Sequence, residues 1–184
     1  MNQFKKIEKI THAGYWSDFY IYPLFILLFA GICIYSLTFN LVIFFLVIYL
    51  FFIGMLAWSF IEYIIHRFVF HKIPYFKVVH DLHHHSPRKI IGTPTYISLP
   101  THFIIVFVPL YLIFGLGLSS ILFSGFLAGA LYYFFIHHSA HHFHTKKGSI
   151  LFLYKKYHAI HHRDAVSNFS ITLPIWDWIF RTKI

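Results

Sequence analysis

Charge is scarce in this chain. Of its 184 residues only 11% are Asp, Glu, Lys or Arg, while 58% are hydrophobic and 22% aromatic. Two long stretches, 19–61 and 90–145, hold no charged residue at all. A water-soluble domain cannot be built on such stretches, because too little polar surface would be left to face solvent. The bilayer is the expected solvent. An α-helix needs about 20 apolar residues to cross the hydrocarbon, so each stretch has room for two spans. These are expected at 20–36, 40–60, 98–116 and 119–136, with turns at 37–40 and 115–119.

Cysteine is nearly absent as well. Cys33 stands alone within a span, which excludes an intramolecular disulfide and any cysteine-based zinc or iron–sulfur site. It reads as apolar filler. The N-terminal FKKIEKITH is short and polar, and the first apolar run starts late and lacks a small-residue cleavage site, so no removable signal peptide is expected. Repeats of the kind that build solenoids are missing too, so the chain reads as a single membrane domain over 1–184.

Basic residues are few but confined. All fifteen lie in the N-terminal segment (Lys5, Lys6, Lys9), in 67–89, or from Lys146 onward, and neither expected turn carries one. Four spans would put these three segments, and both termini, on one face, and the excess of positive charge makes that face cytoplasmic. The net charge of +9 is thus read as topology and attraction to anionic headgroups. There are no arginine-rich runs to suggest nucleic acid.

What the chain has in abundance is histidine. Sixteen are present, six of them in the twenty residues HRFVFHKIPYFKVVHDLHHH at 66–85. His66 and His71 form HxxxxH, and His80, His83 and His84 form HxxHH. His137, His141 and His142 form HxxxHH, and His158, His161 and His162 repeat HxxHH. The boxes occupy 66–85 and 137–162, at cytoplasmic edges of the expected spans. Residues three or four apart share a helical face, so these spacings can aim two or three imidazoles at one centre. The interval of five between His66 and His71 does not, so the second span is expected to unwind between them, near 72–74, where Pro74 stands.

Neutral imidazole is the commonest metal ligand in proteins, and a nitrogen set with so few carboxylates suits iron, zinc or copper rather than calcium or magnesium. A metal takes four to six ligands, so ten histidines at useful spacing imply two ions. A lone histidine at a membrane interface is ordinarily a satisfied polar residue, and His12 and His102 are read that way. His85, His138 and His144 fall outside the repeated patterns and read as supporting or interfacial groups. Glu62 and Asp81 are the acids nearest the boxes; either would serve to accept the outer ring N–H of a ligating histidine. The plain alternative for Glu62 is an ion pair with Arg67.

On these residues the chain resembles the fatty acid hydroxylase superfamily of membrane di-metal oxygenases, and within it most closely the fatty acid 2-hydroxylases. The resemblance runs from Trp58 to Thr182. WSFIEYIIHRFVFH carries the family's Glu-Tyr-x-x-His-Arg at Glu62, Tyr63, His66 and Arg67. HDLHHHSP keeps a histidine pair ahead of Pro87, and YFFIHHSAHH places Tyr133 four residues before His137. The closing NFSITLPIWDWIFRT matches the family segment at Phe169, Thr172, Trp176, Asp177, Phe180 and Thr182. Departures stand at Lys89, Phe134, Ser170, Leu173 and Arg181.

The resemblance implies an all-α integral membrane protein: four transmembrane helices with a cytoplasmic helical cap over a histidine-rich di-metal centre. Its metal ligands would be His66, His71, His80, His83, His84, His137, His141, His158, His161 and His162. His142, Tyr133 and Asp177, with Glu62 and Asp81, are the candidates for supporting those ligands. Two irons, for which zinc can substitute on purification, would use O2 to hydroxylate a long-chain acyl lipid. Electrons would come from a separate cytochrome b5-like or ferredoxin-like donor. An unactivated C–H bond is beyond any acidic or nucleophilic side chain at neutral pH, so the metals must carry the chemistry. The rival readings are a carotenoid hydroxylase or a sterol desaturase or oxidase on the same site, a metal transporter, and a bis-histidine haem protein.

Overall fold

The computed structural model describes residues 15–38 and 40–184. Lys5, Lys6, Lys9 and His12 lie outside the described residues. Helices dominate: α1 (Asp18–Ser36), α2 (Leu41–Ile64), a π-helical continuation (Ile65–Phe70), α3 (Pro74–His85), α4 (Thr95–His102), a second π-helical stretch (Phe103–Phe107), α5 (Val108–His142), α6 (Ile150–Asp164) and α7 (Ile175–Ile179). No strand occurs among the described residues.

Among the described residues, the helices long and apolar enough to cross a membrane are three: Asp18–Ser36, Leu41–Phe70 and the continuous Thr95–His142. The last does not run straight. Gly115 breaks it with φ 70° and ψ −179°, a backbone conformation open to glycine and strained for other residues. Outward-facing side chains along all three are large and apolar, including Leu27, Ile34, Phe44, Phe52, Ile105 and Leu112. Such faces suit lipid rather than water.

The chain forms two compact units, Met1–Trp58 with Gly92–Leu131, and Ser59–Ile91 with Tyr132–Ile184. In the first, glycine lets two helices meet backbone to backbone. A Cβ on Gly125 would overlap the Phe51 carbonyl, and one on Gly54 would overlap that of Leu122. Small residues at such crossings are how helices pack where no water drives them together. Gly125→Leu should therefore force α2 and α5 apart at a cost of about 1–3 kcal/mol or more, read as a lower unfolding temperature in detergent.

The same unit buries a polar seam. The Tyr22 hydroxyl, fully buried, donates to Ser98 Oγ at 3.0 Å and lies 3.1 Å from His102 Nδ1, while Thr95 Oγ1 donates to Asp18. His102 also meets the Trp58 ring edge-on, with centroids 5.2 Å apart. It is thus a satisfied interhelical group. Tyr22→Phe should cost about 1 kcal/mol, the ordinary size of a hydrogen bond between membrane helices.

In the second unit, Ser149 caps α6 by accepting from the Phe152 N–H at 3.2 Å, and Ala165 ends it in the left-handed region at φ 54°. Asn168, at φ 52°, turns the chain back; asparagine tolerates that region better than most residues. The Asn168 N–H donates to the Thr182 carbonyl, and its Oδ1 accepts from the Ile184 N–H. The residues after α6 are thus folded onto the C-terminal end.

Candidate metal centre

All the boxed histidines belong to the second unit, and the structure gathers ten of them into two neighbouring clusters. His66, His71, His80, His84 and His161 bring one ring nitrogen each to one point; His83, His137, His141 and His158 do the same at another. His162 joins the second, its Nε2 standing 3.0 Å from His158 Nε2.

Local helix geometry explains the partition. The helix of the second span ends between His66 and His71 as expected, at Phe70 rather than at 72–74: His66 lies in its last, π-helical turn and His71 is the capping residue just beyond it. The i→i+5 bonding of that turn brings the two onto one side, with ring centroids 5.2 Å apart. One of the pair thus comes from the helix and the other from the turn past its end. The HxxHH boxes also behave differently from the shared-face reading. His80 and His84, four apart, serve the first cluster and His83 the second; His158 and His162 serve the second and His161 the first. Residues four apart diverge by about 40° around a helix, whereas positions three and four on from the same residue diverge by about 100°. One box can thus feed two centres.

The nitrogen spacing is that of a coordination shell. His80 Nε2 lies 3.0 Å from His66 Nε2, 3.1 Å from His71 Nε2 and 3.0 Å from His84 Nε2. In the second cluster His137 and His83 are 3.1 Å apart at Nε2, and His141 and His158 2.8 Å. A ring nitrogen has one lone pair or one hydrogen in the ring plane, so His80 cannot hydrogen-bond to three nitrogens at once. Ligands bound at about 2.1 Å and at right angles stand about 3.0 Å apart, so each cluster fits an ion at its centre.

Burial and crowding keep these rings neutral. Desolvation first, and the neighbouring imidazoles second, hold His80, His83 and His158 below the usual histidine range, and desolvation lowers His84 against the opposing charge of Asp81. His71 is pushed down to about 4 by burial, and His161 and His162 to about 3. Lone pairs are therefore available at neutral pH. A histidine titrates near 6.5 when unfolded, so between about pH 6.5 and 4 the unfolded chain binds more protons than the folded one. The metal-free protein should lose stability as pH falls through that window. With metal bound, ions per chain should hold constant from pH 7 to 5 and fall only below about 4, which elemental analysis after dialysis at each pH would check.

The outer nitrogens show what holds the rings. His66 Nδ1–H donates to the Phe169 carbonyl, and His161 Nδ1–H to the Ser167 carbonyl at 2.7 Å. A carbonyl can only accept, so Nδ1 carries the hydrogen and Nε2 the lone pair. Neither candidate carboxylate does this job. Glu62, 3% exposed, accepts from the N–H groups of Ile171 at 2.7 Å and Thr172 at 3.1 Å and from the Thr172 hydroxyl. It is not paired with Arg67, which donates to the Tyr63 hydroxyl at 2.6 Å. Asp81 pairs with Lys77, its i,i+4 neighbour on the exposed side of α3.

Asp177, fully buried, accepts from the N–H groups of Phe169 at 2.8 Å and Ser170 at 2.7 Å. Two carboxylates thus take the four consecutive N–H groups of 169–172, the segment whose first carbonyl, that of Phe169, holds His66. Tyr133 lies nearly parallel to His137, 5.7 Å between centroids. His142 is exposed and stacks on His138 at 4.5 Å, outside both clusters. The Phe169 and Ser167 carbonyls escaped sequence reasoning altogether, since a main-chain oxygen leaves no residue-type signal.

An all-helical, membrane-compatible protein that presents ten convergent imidazoles has a site that fits a metal centre. The fatty acid hydroxylase model matches residues 51–182, and the chain belongs to that family. The resemblance carried by the boxes and the closing segment is borne out. Fatty acid 2-hydroxylase of Mus musculus is 37% identical, with 73% of this chain and 39% of that one covered. The dihydroceramide fatty acyl 2-hydroxylase FAH2 of Arabidopsis thaliana is 31% identical, covering 70% and 58%. This chain therefore spans from about two fifths to about three fifths of the length of these relatives. The solved structure of full-length scs7p, in which only the hydroxylase domain is visible, matches with a TM-score of 0.79 over 93% of this chain and 67% of that one, at 22% identity. That likeness establishes the fold.

Proposed function

We propose that the protein is an O2-dependent di-iron hydroxylase of a long-chain acyl lipid, a fatty acid or acyl amide, acting at the 2 position. The observation that carries this reading is the pair of imidazole clusters. Five nitrogens exceed the four of an ordinary structural zinc site, and with no carboxylate among them the set suits a redox-active transition metal. The relatives' names, fatty acid and dihydroceramide 2-hydroxylases, supply the substrate class. Bound iron would supply oxidation of an unactivated C–H bond with O2 and electrons from a separate donor protein.

The chain's own residues supply position. The ten histidines hold the ions; Phe169 and Ser167 orient His66 and His161 through their carbonyls; Tyr133 packs on His137. The basic residues of the cytoplasmic side, among them Arg67, Lys72, Lys155 and Arg163, suit an acidic headgroup or an acidic electron carrier.

The topology belongs to the same proposal. The helix Thr95–His142, 48 residues long, would extend about 72 Å if straight, more than twice the hydrocarbon thickness. The non-helical backbone at Gly115 supports a reversal there, which would give four spans with the histidine segments and both termini on the cytoplasmic side.

The test is metal content of the purified protein, followed by lipid analysis of cells that express it. About two irons per chain and a 2-hydroxyacyl product are expected. Hydroxylated carotenoid or sterol with unchanged acyl chains would sink the substrate assignment, and one metal or none in folded protein would sink the di-metal site.

A further inference from the structure

The two clusters share a residue type but are steadied from outside in different ways. In the first, the outer nitrogens of His66 and His161 donate to the carbonyls of Phe169 and Ser167. Those carbonyls are themselves fixed. Asp177 holds the N–H groups of Phe169 and Ser170 and accepts from the Thr182 hydroxyl at 2.7 Å. Asp164 accepts from Ser167 Oγ, also at 2.7 Å. In the second cluster the Nδ1 atoms of His83 and His158 are buried and meet no hydrogen-bond partner.

A ring N–H that donates to a fixed carbonyl locks the tautomer and the ring plane and makes Nε2 a stronger donor; losing such a contact costs about 10–100-fold in metal affinity. We infer that the two metal positions are unequal. The position formed by His66, His71, His80, His84 and His161 retains its ion, and the one formed by His83, His137, His141, His158 and His162 exchanges. The segment 165–182, clamped by Asp177, makes the difference, and Asp177 is a positioning residue for the first position alone. The inference rests on the two-metal reading and adds to it an order of loading and loss.

The experiment follows iron remaining per chain after an excess of strong chelator is added to the purified full chain. The wild type should release its metal in two phases of about one ion each, at rates at least about tenfold apart. His141→Ala should keep only the slow ion and His71→Ala only the fast one. Asp177→Asn should speed the slow phase about tenfold or more and leave the fast phase unchanged, whereas a general loosening of the fold would speed both. Thr182→Val, a milder change at the same clamp, should act in the same direction and decides the matter if Asp177→Asn does not fold. A single phase, a reversed assignment in the two histidine variants, or equal acceleration of both phases would overturn the inference while leaving two metals per chain intact. Fewer than two metals in the untreated wild type would instead overturn the two-metal reading, and this inference with it.

Discussion

His80→Ala is expected to remove about one metal per chain and to reduce the proposed lipid hydroxylation by more than the 100-fold upper range seen for loss of an outer contact to a ligand. His80 Nε2 is within 3.1 Å of three other ring nitrogens of the first cluster, so its removal takes away the imidazole that adjoins most of the others. His142→Ala is the control. That ring is exposed and stacked on His138, and its loss should leave both metal content and turnover within about twofold of wild type, as an exposed substitution ordinarily does. Elemental analysis and product formation on matched preparations provide the readouts. Two metals retained in folded His80→Ala would show that the first cluster is not a metal position.

The second large effect is on stability. Glu62→Ala deprives the Ile171 and Thr172 N–H groups and the Thr172 hydroxyl of their acceptor in a buried site. Each donor left unpaired costs about 1–3 kcal/mol, so the variant should lose more than about 3 kcal/mol and unfold from the C-terminal segment inward. Glu62→Gln keeps one acceptor oxygen but turns an NH2 toward the same donors, and should lose less than Glu62→Ala. Asp81→Ala removes only an exposed i,i+4 pair with Lys77 and should shift stability by no more than about 0.5 kcal/mol. Half-life at fixed temperature in detergent, with protease sensitivity of 165–184 as the local readout, would rank the three. Equal half-lives for Glu62→Ala and Asp81→Ala would mean that the carboxylate does not hold the tail.

These predictions share one structural fact, that the residues after α6 are not a mere terminus. Phe169, Thr172, Trp176, Asp177 and Thr182 stand out in the sequence as matches to a family segment without disclosing what they do. In the folded chain Trp176 donates to Ser59 Oγ at 3.0 Å, Asp177 and Glu62 take the N–H groups of 169–172, and Phe169 presents its carbonyl to His66. Apart from Phe169, which contributes its main chain, these matches are side chains that hold a stretch of backbone in place beside the histidine clusters.

The sequence alone pointed to the bilayer, to the helical class and to the histidines that the fold gathers. Uncharged stretches admit only a bilayer, and histidine at intervals of three and four is a ligand pattern whatever the surrounding fold. Only tertiary structure decided how ten imidazoles divide between two centres. That division depends on a π-helical turn, which changes the register of His66 and His71, and on whether a neighbouring helix approaches the i+3 or the i+4 side of each HxxHH box. Which atoms steady the rings was likewise beyond the sequence. Carboxylates are visible in it and were the natural candidates, but the acceptors are main-chain oxygens, which every residue carries and which only the path of the folded chain can aim.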